Sequence, residues 1–211
     1  MKKILFVVLA SCFVFQASQA QFFSYGIKAG VGFSSLKMDD ITNISDGTDV
    51  YDLVTGEGVT GYHVGLQTQV NLAMIVIKPE VYFNAGGGTL DRVVQGGATE
   101  ALNVKFSRID IPLLVGVKFG PARINAGPVG SYVISEDSDL TSIEPDFTLF
   151  TNSMTWGFQA GIGLDILKKV SLDARWEGSL SRLGENLTIG SNDFALDARP
   201  NQFLVSLGLW F

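Results

Sequence analysis

The chain has 211 residues, of which 46% are hydrophobic and 24 are glycines, and its formal net charge is −6 at pH 7. So acidic a chain is poorly suited to nucleic acid, and we expect no such partner. No segment after the N-terminus approaches the roughly 18 uninterrupted apolar residues of a membrane-spanning helix.

The N-terminus, residues 1–20, has the pattern of a secretory signal peptide. A basic start precedes an apolar run too short to span a membrane, and small residues lead to Ala20. The pattern predicts cleavage after Ala20, which leaves residues 21–211 as one exported domain. Without Lys2 and Lys3 that domain has 13 basic and 21 acidic residues, a net charge of −8.

An alternative interpretation takes Leu9-Ala-Ser-Cys12 as a lipoprotein box, which would leave a lipidated Cys12. The apolar run continues for several residues beyond Cys12, and the segment before it is short for this purpose. Cleavage after Ala20 instead removes the single cysteine, so neither a disulfide nor a thiol site is then expected.

Beyond the signal peptide, apolar residues alternate with polar or small ones, which is the period of a β-strand. Eight segments show this pattern, at residues 25–34, 61–70, 75–84, 106–119, 123–132, 154–166, 170–180 and 203–211. Short turns near residues 72, 121 and 168 alternate with long connections at 37–58, 85–103, 134–152 and 181–200. This organisation predicts an all-β fold, an eight-stranded antiparallel up-and-down transmembrane β-barrel with short periplasmic turns and long extracellular loops.

The hairpin at residues 106–132 shows which face would point outward. Apolar positions such as Ile109 form one face, and charged positions such as Asp110 form the other. A soluble sandwich would bury the apolar face, whereas a barrel in lipid turns it outward and lines its lumen with the charges. The abundance of glycine favours the barrel.

Three prolines, Pro79, Pro112 and Pro128, fall inside predicted strands. Because proline removes a donor from the hydrogen-bond ladder, we expect bulges or local gaps at these positions.

The alternate positions that face the lumen contain charged side chains in most of the predicted strands. The predicted lumen network consists of Lys28, His63, Lys78, Glu80, Arg108, Asp110, Arg123, Asp165, Asp173, Arg175 and Glu177, with Lys118 also inward. Eight strands enclose an interior only wide enough for their own side chains, so we expect these groups to pair and fill it. The functional alternative is a narrow pore lined by the same groups.

His63 is the single histidine, and its parity points into the lumen. A lipid hydrolase would need a serine, a histidine and an acid assembled toward lipid, so we expect no catalytic site. One histidine without cysteine is also not a metal site, and we expect neither metal nor cofactor. The acidic loops offer oxygen ligands for calcium, but Asp46-Gly-Thr-Asp49 lacks the ligand spacing of a calcium loop.

Aromatic residues on the outward face fall at two levels, as the interfacial girdles of a membrane barrel do. The outer level contains Phe33, Tyr62, Phe83, Tyr132, Trp156 and Phe203, and the inner level contains Tyr25, Phe119 and Phe211.

Three motifs carry a resemblance to a known family: Gly26-Ile-Lys-Ala-Gly-Val-Gly32, Ile109-Asp-Ile-Pro-Leu-Leu-Val115 and Asn125-Ala-Gly-Pro-Val-Gly130. With them, the chain resembles the porin-family outer membrane β-barrel domain of Bacteroidetes, which includes PorT-like proteins, and it is similar in architecture to small OmpA and OmpX type barrels. The resemblance implies a place in the outer membrane of a Gram-negative bacterium. It also implies that terminal Phe211 is the signal recognised by the barrel assembly machinery.

The sequence thus favours a non-enzymatic outer membrane protein with a structural or partner-binding role. Its expected partners are outer membrane lipid, the barrel assembly machinery during biogenesis, and an extracellular protein or polysaccharide bound by the acidic loops. A narrow channel for ions or small solutes is the alternative, and a lipid-modifying enzyme is a third hypothesis.

Overall fold

The computed structural model describes residues 22–37, 41–45, 50–94, 96–97, 99–138, 154–180, 187–189, 192–194 and 199–211. These residues form the strands β1 (Phe23–Lys37), β2 (Ile41–Ser45), β3 (Val50–Leu72), β4 (Ile75–Val94), β5 (Thr99–Phe119), β6 (Ala122–Ser138), β7 (Met154–Ile166), β8 (Val170–Ser179), β9 (Leu187–Ile189), β10 (Asn192–Phe194) and β11 (Arg199–Trp210). Across this described part of the chain, no helix has the length and apolarity to cross a membrane.

Eight of the strands close into a ring. The order around it is β1-β11-β8-β7-β6-β5-β4-β3, and β3 pairs back onto β1. All of these pairs are antiparallel, and Lys28 of β1 lies opposite Gly208 of β11 and Gly65 of β3. The ring confirms the predicted fold class, an eight-stranded antiparallel up-and-down barrel.

Three short turns lie at the end of the ring where Phe22 and Phe211 also lie. They join β3 to β4, β5 to β6 and β7 to β8, at the positions that the sequence predicted. Ala73, Gly120, Leu167 and Lys168 have positive φ angles of 57°, 60°, 51° and 57° in these turns. We call this end of the ring the inner end and the opposite end the outer end.

At the outer end the strands run much farther than predicted. β3, β4 and β5 have 23, 20 and 21 residues, whereas a tilted strand needs roughly 9–11 to cross a membrane. The prediction of a loop at 85–103 was therefore wrong for most of its length, and Leu90 pairs directly with Leu102. Strands also enter the predicted loops at 37–58, 134–152 and 181–200, and residues 139–153 lie outside the described part of the chain.

The three strand prolines interrupt the ladder without shifting its register. In the β3–β4 ladder, the register is the same at Gln67↔Glu80 and at Val70↔Ile77. The two residue pairs between them, one of which contains Pro79, are not formed. The same two-pair gap includes Pro112 in the β4–β5 ladder and Pro128 in the β5–β6 ladder. The expected local gaps are present, but no bulge accompanies them. A proline removes one hydrogen-bond donor from the ladder, and this loss does not require an extra residue in the strand.

The interior of the ring is polar and its exterior is apolar. Leu66, Ile124 and Ile162 are 57%, 62% and 61% exposed, whereas Lys78 and Arg175 are fully buried. This distribution is the inverse of a soluble protein and suits a barrel whose outer surface meets lipid.

Candidate functional site

The lumen gathers the inward charges from strands that are far apart in the sequence. Every member of the predicted lumen network is at most 8% exposed, and the members are Lys28, His63, Lys78, Glu80, Arg108, Asp110, Arg123, Asp165, Asp173, Arg175 and Glu177. Because side chains along a strand alternate between its two faces, these residues all lie on the inner face. The register between neighbouring strands determines which of them are in contact.

Glu80 is the centre of the larger group of charges. Arg175 donates to both of its carboxylate oxygens, at 2.7 and 2.8 Å. Lys28 donates to it at 2.9 Å, and the ammonium of Lys78 lies 3.3 Å away. Three cations thus converge on one buried carboxylate, and a bidentate arginine fork is the strongest of these arrangements.

Asp173 and Asp165 continue this group toward the inner end. Asp173 lies 2.7 Å from Arg123 and 3.1 Å from Arg175. Asp165 is hydrogen-bonded by Arg123 and lies 2.5 Å from Lys118. We call these eight residues the inner cluster: Lys28, Lys78, Glu80, Lys118, Arg123, Asp165, Asp173 and Arg175.

A second group, the outer cluster, surrounds Arg108. This arginine lies 2.9 Å from Asp110 and also donates to Glu177. Polar side chains complete the group: Asn84 donates to Asp110 at 2.8 Å, and Gln202 donates to Glu177 at 2.9 Å.

Gln159 also belongs to the outer cluster, lying 2.5 Å from both Glu177 and the hydroxyl of Tyr82. The predicted lumen network contained charged residues and His63 and did not include Gln159, Asn84 and Gln202. Asn84 and Gln159 occupy inward positions of predicted strands, which is the signal that could have identified them, whereas Gln202 precedes the strand predicted at 203–211.

Above the outer cluster the lumen becomes apolar. Leu90, Leu102, Val104 and Phe106 are each at most 4% exposed, and the guanidinium carbon of Arg108 lies 5.5 Å from the ring centre of Phe106. Leu90, Leu102 and Val104 belong to the extended parts of β4 and β5, and Phe106 is the first residue of the strand predicted at 106–119. Charged groups and then apolar groups therefore fill successive levels of the lumen.

Two glycines make room for the arginines of the inner cluster. A Cβ atom on Gly163 would lie 2.6 Å from Nε of Arg123, and one on Gly161 would lie 2.7 Å from Cγ of Arg175. Since real Cβ atoms do not approach neighbours this closely, the guanidinium of Arg123 and the aliphatic stem of Arg175 lie in space that a side chain would otherwise occupy.

His63 lies inside the ring and pairs with a serine. Its Nε2 is 2.7 Å from the hydroxyl of Ser206, and its ring centre is 5.5 Å from that of Tyr82. Both His63 and Ser206 are buried, and Nδ1 of His63 has no hydrogen-bond partner in the described residues. The His63–Ser206 pair links β3 to β11 inside the ring.

The predicted girdle residues lie on the exterior of the ring. Tyr62 and Phe83 contact each other toward the outer end, with ring centres 6.1 Å apart, and Tyr25 and Phe211 do so at the inner end, 5.9 Å apart. Trp156, Tyr132, Phe33, Phe203 and Phe119 are also exposed. The predicted girdles did not include Trp176, which is 50% exposed and pairs with Phe203 across β8 and β11.

Metal-ligating residues do not gather in the part of the chain that the structure covers, where no three of the His, Cys, Asp and Glu side chains are placed to share an ion. Asp46 and Asp49 of the calcium hypothesis lie outside the described residues.

Solved structures with a related architecture share little sequence with this chain. Neisserial surface protein A is 11% identical, with a TM-score of 0.49 over 89% of this chain and 97% of that chain. OprG of Pseudomonas aeruginosa is 10% identical, with a TM-score of 0.47 over 90% and 97%. Ail, the attachment invasion locus protein of Yersinia pestis, is 11% identical, with a TM-score of 0.45 over 90% and 100%.

A search of curated proteins found no match. A family model, by contrast, matches most of the chain, over residues 16–184, and its description is outer membrane protein beta-barrel domain. The match includes every strand of the ring except β11, and the inverted distribution of polar and apolar residues agrees with it. The chain belongs to the outer membrane protein β-barrel domain family, and this membership indicates the outer membrane as its location.

Proposed function

We propose that this protein is a closed, non-enzymatic barrel that binds a partner protein through its outer end. The observation that carries the proposal is the filled lumen, in which the inner and outer clusters bury almost every charge in direct ion pairs. A pore for ions would instead need water-accessible charges along a continuous path.

The energetics of the lumen support a structural role for its charges. Breaking a buried pair by removing one partner costs about 3–5 kcal/mol, because the remaining charge is left uncompensated. Glu80 is shared by Arg175, Lys28 and Lys78, so any displacement that opened a path would break several such pairs together. Eight strands provide no extra width for water to replace those contacts.

The outer end is the part of the molecule best suited to a partner. The outer strand extensions and connections comprise residues 37–58, 85–103, 134–152 and 181–200. They contain 16 acidic and 4 basic residues, a net charge of −12. The remainder of residues 21–211 has 9 basic and 5 acidic residues, a net charge of +4. The concentration of negative charge at the outer end favours a partner with a basic surface. We therefore propose that the partner is a protein rather than an acidic polysaccharide.

The proposal includes the route to the membrane. Cleavage after Ala20 would release residues 21–211 into the periplasm of a Gram-negative bacterium of the Bacteroidetes type, and the barrel assembly machinery would recognise Phe211. N-terminal sequencing of the protein purified from outer membranes tests the cleavage site, with Gln21 as the expected first residue.

Conductance of the purified, folded barrel in a planar bilayer tests whether the lumen is closed. We expect no discrete openings from the wild type, with folding verified by a heat-modifiable gel shift. The same silence is expected after Arg175→Gln. Reproducible openings whose amplitude changes in Arg175→Gln would overturn the proposal in favour of a pore.

Site-specific photo-crosslinking in intact cells tests the partner. A crosslinker at Glu57 or Glu100, both exposed on the extended strands, should capture a protein that a crosslinker at Lys169 of the inner end does not. Binding of that protein to the purified barrel should disappear when residues 37–58 or 134–152 are shortened, while the fold remains. Identical adducts from both ends, or binding that survives both deletions, would contradict the proposal.

The enzyme hypothesis is tested by lipid analysis of cells with and without the protein. We expect the phospholipid and lipid A profiles to be the same. A lipid change that His63→Ala abolishes, with folding retained, would identify an activity instead.

A further inference from the structure

A cavity of about 420 Å³ opens at the inner end of the barrel, and we call it the mouth pocket. Its lining is Phe23, Ser24, Tyr25, Gln69, Asn71, Ala73, Lys118, Asp165, Lys168, Trp210 and Phe211. The size lies within the usual range for small-molecule sites, which is roughly 300–1,000 Å³.

Backbone hydrogen bonds between neighbouring strand ends hold the rim of this pocket. The N–H of Asn71 donates to Phe22 at 2.8 Å, and the N–H of Trp210 donates to Lys169 at 2.8 Å. The N–H of Phe211 donates to Tyr25 at 2.9 Å. The pocket is therefore preformed, which lowers the ordering cost of binding.

Gln69 lines one wall of the pocket and contains a buried hydrogen-bond acceptor. Gln69 is only 3% exposed, and its amide Nε2 donates to Oδ1 of Asn71 at 2.9 Å. Its Oε1 accepts no hydrogen bond within the described residues. Since buried polar atoms normally have a partner, a small turn of the side chain that exposes this oxygen to the pocket would let an N–H or O–H donor of a ligand satisfy it.

The opposite side of the pocket is basic. Lys118 is paired with Asp165 at 2.5 Å, and Asp165 is further neutralised by Arg123. Lys168 has no ion-pair partner in the described part of the chain and stands on the turn between β7 and β8. A ligand at this position therefore meets a net positive charge.

An indole ring lies in the lining between these two polar sides. Trp210 is partly buried, and the ammonium of Lys78 lies 5.4 Å from its ring centre. A ring of this kind provides an apolar contact surface for a small side chain.

We propose that the mouth pocket binds the free carboxyl end of a peptide. The carboxylate would lie between Lys168 and Lys118, a backbone N–H would donate to Oε1 of Gln69, and the last side chain would contact Trp210. The inference concerns the end opposite the proposed partner surface, so it stands or fails independently of that proposal.

Tryptophan fluorescence of the full barrel in detergent micelles tests this site. Trp156→Phe and Trp176→Phe leave Trp210 as the single tryptophan and change only exposed, outward residues. The probes are N-acetyl-L-Ala-L-Ala and N-acetyl-D-Ala-D-Ala, which represent the carboxyl ends of proteins and of cell-wall peptides. Saturable quenching or a spectral shift is expected with at least one probe, and the preferred stereoisomer identifies the source.

Matched probes and variants distinguish recognition from nonspecific adsorption. The corresponding peptide amides, which have no carboxylate, should not bind measurably. Lys168→Gln should weaken binding about fivefold and Gln69→Leu about tenfold, whereas Lys169→Gln, on the same turn but outside the pocket lining, should not. Equal binding of acid and amide, or no saturable signal up to the solubility of both probes, would overturn the proposal.

Discussion

At the scale of single residues, this protein depends on charges that are buried and shared. Glu80 has no access to solvent and interacts with Lys28, Lys78 and Arg175, so its carboxylate compensates more than one cation. In a soluble protein the core is apolar and tolerates small rearrangements, whereas here one missing charge changes the electrostatic balance of the whole inner cluster.

Glu80→Gln should therefore lower the free energy of unfolding by about 3–5 kcal/mol. The reason is that three cations would lose their common counter-charge inside the ring. Urea unfolding in phospholipid vesicles, followed by the heat-modifiable gel shift, measures the change. The control is Glu100→Gln, whose carboxylate is exposed and 3.6 Å from Arg92, and it should alter stability by less than about 1 kcal/mol. Similar effects for both variants would contradict the structural role of the inner cluster.

A close packing contact makes a second prediction at this scale. Gly163→Ala should destabilise the barrel by about 1–3 kcal/mol, because the added methyl group would collide with the guanidinium of Arg123. Gly130→Ala is the matched control on the neighbouring strand, where the nearest atom, of Trp156, is 3.5 Å away. The same urea experiment compares them. A Gly163→Ala barrel as stable as Gly130→Ala would show that Arg123 can move aside without loss.

At the scale of elements, the inner turns are tight and contain non-glycine residues in the left-handed conformation. Leu167 and Lys168 have φ angles of 51° and 57°, and the N–H of Lys169 donates to the carbonyl of Ile166 at 3.1 Å. Positive φ at both central positions of a β-turn closed by this hydrogen bond is the pattern of a type I′ turn, which favours Asn and Gly at those positions. Leucine there is strained, and its side chain is 88% exposed, so it has no packing to lose.

Leu167→Asn should stabilise the barrel by about 1 kcal/mol, because asparagine tolerates the left-handed conformation better than leucine. The midpoint of urea unfolding should rise accordingly. Lys169→Asn, outside the positive-φ positions of the same turn, should produce no such gain. If both substitutions had equal effects, backbone strain at Leu167 would not be the cause.

At the scale of the whole molecule, closing the ring separates three environments. The exterior is apolar, the lumen is filled with paired charges, and the connections at the outer end carry a net charge of −12 against +4 for the remainder of residues 21–211. The outer charge acts at a distance on approaching molecules, whereas the lumen charges compensate one another locally.

Association with the proposed outer partner should therefore slow as ionic strength rises. Between about 0.01 and 0.15 M salt the screening length falls from about 30 to 8 Å, so steering by the acidic connections should weaken. Stopped-flow or surface-based association rates measure the effect. A barrel in which the five acids of residues 134–152 are replaced by amides should show a slower rate and a smaller salt dependence. An unchanged rate across this salt range would indicate a partner recognised without electrostatic steering.

Much of this architecture follows from alternation along the chain. Because side chains in a strand point to opposite faces in turn, the number of ring strands, the three inner turns and the inward side of each strand can be read from the order of residues alone. It could not determine where the strands end outside the membrane. Above the lipid both faces of a strand tolerate polar residues and glycine, so the alternation that reveals a strand disappears at 85–103.

Which inward groups meet depends on how the strands pair around the closed ring. Lys28 and Glu80 are 52 residues apart, and Arg175 and Glu80 are 95 apart, so their contacts depend on the register of several successive strand pairs. The apolar level formed by Leu90, Leu102, Val104 and Phe106 depends on the strand extensions. The mouth pocket requires the ring to close, because closure brings Gln69, Lys168 and Trp210 from three strand ends to one opening.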